Sequence, residues 1–364
     1  MLSSQSSPPG AGSDVGSGWA AFGSRSGRGV VECVDLHADP GALERGGLWF
    51  VVADFEGAER GGRARAWRFA ESGPPPAPRA WRGPRPDRWR SSSDQQEYEA
   101  AVSTVRARVR SGDVYQVNVC RVLSAELSPE GSEPSAAALA HRLAQGNPAP
   151  YAGAIHVPAG SGVDPVWVVS ASPELFLRLD QGIVTSGPIK GTATTAAGLS
   201  AKDRAENVMI TDLVRNDLQR ICEPGTVGVD RLLAVEQHPG LVHLVSTVSG
   251  ALRPSASPWS DVLAATMPPA SVSGAPKRAA LGIVDELETE PRGPYCGAVG
   301  WVDADQGAAE LAVGIRTFWW SDGVLRFGTG AGITWGSDPR AEWEETELKA
   351  RRLVALASGA ECDP

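Results

Sequence analysis

Four acidic side chains fall into two pairs at a spacing of three: Asp203 and Glu206 in AKDRAENVMITDLVRNDLQR, Glu342 and Glu345 in PRAEWEETELKARRL. On a helix that spacing puts both members of a pair on one face. Two such faces brought together offer hard oxygen donors to a divalent cation such as Mg²⁺, which binds them at about 2.0–2.1 Å and keeps waters for itself or a substrate. Held apart, each pair is a solvated helix face. Glu174, in SASPELFL, stands at the entrance of an otherwise apolar strand. A carboxyl there either points to water or is buried, holds its proton near neutrality and serves as a general acid. Arg316 follows Ala312 and Gly314 in AVGIRT, and alternation puts the three on one face. Small neighbours leave room for a carboxylate on the guanidinium fork, and a structural ion pair has the same signature. His243 lies among aliphatics in LVHLVSTV, the usual setting of a satisfied core histidine. The run GTGAG at 328–332 presents backbone N–H groups that can cradle an anion. Lys190, in TSGPIKGT, sits between a proline turn and a glycine, and by itself reads as a solvated hairpin lysine.

These residues require particular elements. Helices are expected at 95–110, 134–144, 201–218, 259–266, 275–288 and 340–357. The first is signalled by Asp94 and Glu97 in capping-box positions and by Tyr98, Val102, Val105 and Val109 at helical spacing. Strands are expected at 47–53, 64–69, 114–119, 151–157, 166–171, 174–179, 182–186, 242–251, 296–303, 309–319 and 323–328. Many come in turn-linked pairs, which favours antiparallel sheets with helices outside, an α+β fold. Residues 1–28 are rich in Ser, Gly and Pro and read as a disordered tail. Residues 29–93 form a short strand-rich region ending in a Pro- and Arg-rich linker, and 94–360 form the core.

With 364 residues, 42% of them hydrophobic, the chain can bury a large core, and a net charge of -9 argues against nucleic-acid or anionic-membrane partners. Five dispersed cysteines without a C-x-x-C pair suggest neither a disulfide framework nor a zinc knuckle. No apolar run of about 18 residues and no signal h-region occur, so no membrane insertion and a cytoplasmic location are expected. The 328–332 run is no dinucleotide fingerprint, because Ile333 and Trp335 fall where a last glycine would stand. H-E-x-x-H and a nucleophile elbow are both missing.

Read in order, GDVYQVNV (112–119), SASPELFL (170–177), PIKGT (188–192), KDRAENVMITDLVRNDLQRICEPGTV (202–227), HPGLVHLVSTVSG (238–250), SVSGAPKRAALGIVDELE (271–288), RGPYCGAVGW (292–301), GIRT (314–317), GTGAGI (328–333) and EWEETELKA (342–350) resemble the chorismate-utilising enzymes. The resemblance covers about residue 95 to the C-terminus. It implies the anthranilate synthase component I-like fold, two large mainly antiparallel sheets packed together with helices outside. It also implies Mg²⁺, with Glu206 and Glu345 as direct ligands and Asp203 and Glu342 acting through water.

Within that family PIKGT is characteristic of aminodeoxychorismate synthase component I, whereas anthranilate and isochorismate synthases typically carry alanine in place of the lysine. The resemblance therefore makes Lys190 a nucleophile toward C2 of chorismate, Glu174 the acid that assists loss of the C4 hydroxyl, and His243 a catalytic residue near the ring. Arg316 and the backbone of Gly330 and Gly332 would hold the substrate carboxylates, with Thr192, Ser273 and Lys277 lining the pocket. Pro269 and Ala270 replace two glycines usual in the family, which implies a different path for that loop. The chain lacks Cys-His-Glu amidotransferase motifs, so ammonia would come from a glutamine amidotransferase subunit. An anthranilate- or isochorismate-forming enzyme and a non-catalytic binding paralogue are the alternatives.

Overall fold

The computed structural model describes residues 18–128, 132–193, 195–238, 241–255 and 258–359. The α-helices among the described residues are α1 (Gln95–Ser111), α2 (Ala136–Gly146), α3 (Ala201–Gln219), α4 (Pro258–Thr266), α5 (Lys277–Leu287) and α6 (Pro339–Ala357). Their starts follow the chemistry of the first turn, where backbone N–H groups lack intrahelical partners. The Asp94 carboxylate accepts from Glu97 N (2.9 Å) while Glu97 returns the bond to Asp94 N, and Asp338 accepts from Ala341 N (2.9 Å). Gly112, at φ 86°, closes α1 in the left-handed conformation. None of the described helices is long and apolar enough to cross a membrane.

Eighteen described strands make one hydrogen-bonded antiparallel ladder. Its first half runs from Gln116–Glu126 through Val324–Ile333, Thr317–Ser321, Val166–Ser172 and Tyr151–Val157 to Trp19–Phe22. The hairpin from Trp19–Phe22 to Arg25–Asp35 carries the ladder into a second half. That half continues through Ala64–Glu71, Leu48–Ala53, Ala298–Asp303, Ala308–Val313, Leu175–Asp180 and Ile183–Gly187 to Leu241–Ala251. The two expected sheets are thus the halves of one ladder, and they share a core in which Val117, Val119, Ala331 and Ile333 of one meet Trp49, Val51, Phe176 and Leu311 of the other.

Several expectations need correction. Residues 19–28, assigned by composition to the tail, form Trp19–Phe22 and the beginning of Arg25–Asp35; residues 1–17 lie outside the described residues. The 71–94 linker is anchored, with Trp81 Nε1 donating to Ala357 O (2.8 Å) and Trp89 Nε1 to Ser358 Oγ (3.1 Å). The strand expected over 309–319 is interrupted after Val313, and Arg316 takes φ 53°. Alternation therefore does not set its direction. The 323–328 strand continues to Ile333, so 328–332 is a ladder rather than a loop, paired with 122–118.

Candidate active site

Lys190 lies on Ile189–Ala193, a short strand paired with Leu241–Ala251 so that Thr192 faces His243 across the ladder. The sequence suggests a hairpin there; instead the lysine is half-buried. A Cβ built on Gly332 would stand 3.3 Å from Lys190 Nζ and 2.4 Å from Gln116 Nε2, so the missing side chain at 332 is space that the amine and the amide approach. Burial pulls the Lys190 amine below its ordinary range; the Glu206, Glu174 and Glu345 charges push it back up, and the Lys349 cation adds to the fall. Loss of the proton makes an amine nucleophilic.

Glu174 is 3% exposed, and burial pushes its carboxyl up to about 7, against the Ser271 hydrogen bond, the Lys190 charge and the Ile189 N–H that donates to its Oε1 at 3.4 Å. That last bond comes from the residue next to Lys190, so acid and amine are placed by the same strand. Behind Glu174 a cavity of about 20 Å³, room for one water, is lined also by Ser186, Asp217 and Ser271.

The helices bring the carboxylates from two sides. In α3 the buried Asn207 donates to Leu244 O (3.0 Å), which fixes the helix on the sheet and aims its neighbour Glu206. In α6, Thr329 Oγ1 donates to Thr346 O (2.9 Å) and the buried Arg121 stacks on Trp343 at 4.1 Å, which seats Glu342 and Glu345 beside the same sheet. Lys202 Nζ lies 3.7 Å from Glu206 and 3.6 Å from Glu342, so these two acids meet across the helices. Burial raises the Glu206 carboxyl, against the nearby Lys190 and Lys202 charges.

The other two acids are engaged elsewhere. Asp203 accepts from Ser200 N and Oγ (2.8 and 2.7 Å) as the third residue of a capping box, and Glu345 pairs with Lys349 at 2.6 Å. Burial pushes Glu345 up, yet Lys349, Lys190 and Lys202 leave it below its ordinary value. Among the described residues no three metal-ligating groups cluster at coordination distance. The donor set still fits a hard cation: Glu206 Oε1 is buried without a hydrogen-bond partner, and every group offered is a carboxylate oxygen.

Arg316 shows no carboxylate or carbonyl partner for its guanidinium among the described residues, and burial lowers its pKa. Its own carbonyl accepts from Ala171 N (3.0 Å), while Val313, three residues earlier, donates its N–H to the Glu174 carbonyl (3.1 Å). His243 is buried at 3% exposure. Two expected pocket residues are spent on structure: Ser273 Oγ donates to Pro269 O (3.0 Å), and Lys277 Nζ to Asp217 Oδ2 (2.7 Å) and Thr266 O (3.1 Å). Pro269 flanks a helical turn, Ala270–Val272, which gives the loop that the two lost glycines leave behind a fixed form.

Sequence reasoning missed Gln116, Lys202, Ser271 and Lys349. Gln116 is 1% exposed with Oε1 unpartnered, and Lys349 Nζ donates to Gly330 O (3.0 Å). The only signal for the two lysines is helical spacing, four residues from Glu206 and Glu345.

Comparison with known proteins bears on the whole arrangement. Residues 55–355 match the family described as chorismate binding enzyme. The chain is 38% identical over 274 residues to anthranilate synthase component 1 of Saccharolobus solfataricus, covering 72% of this chain and 62% of that protein. It is 37% identical over 278 residues to aminodeoxychorismate synthase component 1 of Klebsiella aerogenes, covering 73% and 59%. Each match thus spans less than two thirds of the relative's length. Among solved structures, anthranilate synthase component I from Streptococcus pneumoniae superposes with a TM-score of 0.73 at 25% identity, covering 93% of this chain and 90% of that one. The menaquinone-specific isochorismate synthase of Escherichia coli shares the fold, with a TM-score of 0.73 at 18% identity over 95% and 90%. The chain belongs to the chorismate binding enzyme family.

Proposed function

We propose that this chain aminates chorismate to 4-amino-4-deoxychorismate, the reaction of aminodeoxychorismate synthase component I. Relatives that form anthranilate and relatives named for aminodeoxychorismate are about equally similar, so overall identity does not choose between them. The observation that carries the choice is Lys190, half-buried, lowered in pKa by burial, and carried on the strand whose Ile189 N–H donates to the buried Glu174, whose carboxyl burial raises.

In this reading the neutral Lys190 Nζ attacks C2 of chorismate and the ring double bond shifts as the C4 hydroxyl leaves. Glu174 gives that hydroxyl its proton, so water departs. Ammonia then adds at C4, the shift reverses, Lys190 is expelled from C2, and a proton lost from the added nitrogen restores the acid. Arg316, whose guanidinium has no carboxylate or carbonyl partner among the described residues, takes a substrate carboxylate together with backbone groups of Gly330 and Gly332. Thr192, His243, Ser273 and Lys277 stay as proposed pocket residues, the last two acting through their neighbours. Mg²⁺ would be held by Glu206 and Glu345, with Asp203 and Glu342 reached through water, and would supply positive charge to the substrate carboxylates. Ammonia comes from a glutaminase subunit; free ammonium supports turnover without it, and glutamine only with it.

Intact-protein mass spectrometry after exposure to chorismate and Mg²⁺ without ammonia tests the reading. An adduct on the peptide containing Lys190, absent in Lys190→Ala, is expected. Full activity in Lys190→Ala, or anthranilate or isochorismate as the product on chromatography, overturns it.

A further inference from the structure

Lys202 fills the gap between α3 and α6. Its ammonium lies almost midway between two acids, 3.7 Å from Glu206 Oε1 and 3.6 Å from Glu342 Oε1, and is hydrogen-bonded to neither. The acids are sheltered, with side-chain exposures of 15% and 6%, whereas the lysine side chain is 50% exposed. Two sheltered carboxylates facing one another raise each other's energy unless a positive charge stands between them. Lys202 provides that charge, from a flexible stem rooted in the first turn of α3.

We propose that Lys202 is a built-in place-holder for the divalent cation. Its ammonium neutralises Glu206 and Glu342 when no metal is bound and swings into solvent when one arrives. The inference rests on the metal reading given under Proposed function. A cation about 2.0–2.1 Å from Glu206 Oε1 would stand beside Nζ, and the two positive charges exclude each other. The lysine stem can swing without moving α3, because Asn207 and the capping box hold the helix itself. Lys349 contrasts with it: its ammonium is tied to Gly330 O at 3.0 Å as well as to Glu345, so it is a fixed part of the wall.

The test is Mn²⁺ titrated into the full chain, with free Mn²⁺ read by electron paramagnetic resonance, for the wild type, Lys202→Met, Lys202→Gln and Lys202→Arg. Removing a half-exposed competing charge is expected to tighten Mn²⁺ binding about three- to tenfold in the Met and Gln variants. Lys202→Arg keeps the charge and is expected to stay within about twofold of the wild type. The neutral variants should also melt below the wild type without metal, and the gap should close at saturating Mn²⁺. Unchanged or weaker binding in both neutral variants, folded by circular dichroism, overturns the place-holder and leaves the metal reading standing. Equal tightening in Lys202→Arg also overturns it. If neither the wild type nor any variant binds Mn²⁺, the metal reading fails and the place-holder falls with it.

Discussion

At the scale of single residues, Glu174 carries a pH signature that can be worked out in sign. Its carboxyl titrates near 4.5 when unfolded and at about 7 in the folded chain, because burial disfavours the charge. Between those values the folded protein holds a proton that the unfolded chain has released. The contribution to stability is therefore complete below the unfolded value and lost as pH rises through 7, a loss on the order of 3 kcal/mol. Thermal unfolding of Glu174→Gln at a series of pH values between 5 and 8 is expected to fall less steeply than that of the wild type. Activity should drop above about pH 7 as the acid loses its proton, and Glu174→Gln should lose at least a hundredfold in turnover while still binding chorismate. Glu174 and Lys190 were legible because each sits in a short run of distinctive residues. Gln116 and Lys349 were not, since each reaches the site only through the ladder between Gln116–Glu126 and Val324–Ile333 and through the seating of α6.

At the scale of elements, the approach of α3 to the lysine strand sets the site, and Gly191 is where they touch. Its φ is +86°, and a Cβ there would lie 2.7 Å from Asp203 Cβ and 3.3 Å from Leu199 Cδ2. Gly191→Ala is expected to cost about 1–2 kcal/mol for the left-handed backbone alone, and to turn Lys190 away from Glu174 as the overlap is relieved. Circular dichroism melts and adduct formation measure the two effects separately. Helix boundaries were readable within about two residues because Asp94, Asp338 and Gly112 are caps whose chemistry is local. Strand Gly228–His238 escaped notice because it is an outer strand with register shifts near Arg231, and Val229, Leu232 and Val235 remain exposed, so no alternation of burial marks it. Ser200 and Asp203 show the converse. The spacing of Asp203 and Glu206 was legible as a metal-facing pair, yet that of Ser200 and Asp203 spells a capping box, and in the structure the local bond took the carboxylate.

At the scale of the whole molecule, a single buried cation joins the two halves of the ladder, and no local pattern in the sequence announces it. Arg292 is 1% exposed. It donates twice to Glu288 (2.8 and 2.6 Å), to Val272 O (2.9 Å) and to Asn118 O (2.7 Å), and its guanidinium lies 4.0 Å from the Phe55 ring. Those partners belong to the strand Gln116–Glu126 of the first half, the turn before α5, the end of α5, and the loop leaving Leu48–Ala53 of the second half. Glu288 in turn accepts from Cys120 N (2.8 Å), next to the strand that carries Gly330. Removing the guanidinium leaves a carboxylate buried without a counter-ion, and breaking such a pair costs about 3–5 kcal/mol. Arg292→Met is expected to lose stability by that amount in urea or thermal unfolding, and to lose activity at temperatures where it is still folded, because the strand bearing Gln116 is no longer held at Asn118. Arg292→Met with Glu288→Leu removes both charges together and should recover most of the stability. Activity that stays low in the double variant would place the cost in the lost tie to Asn118 O, and activity that returns with stability would place it in the unpaired acid.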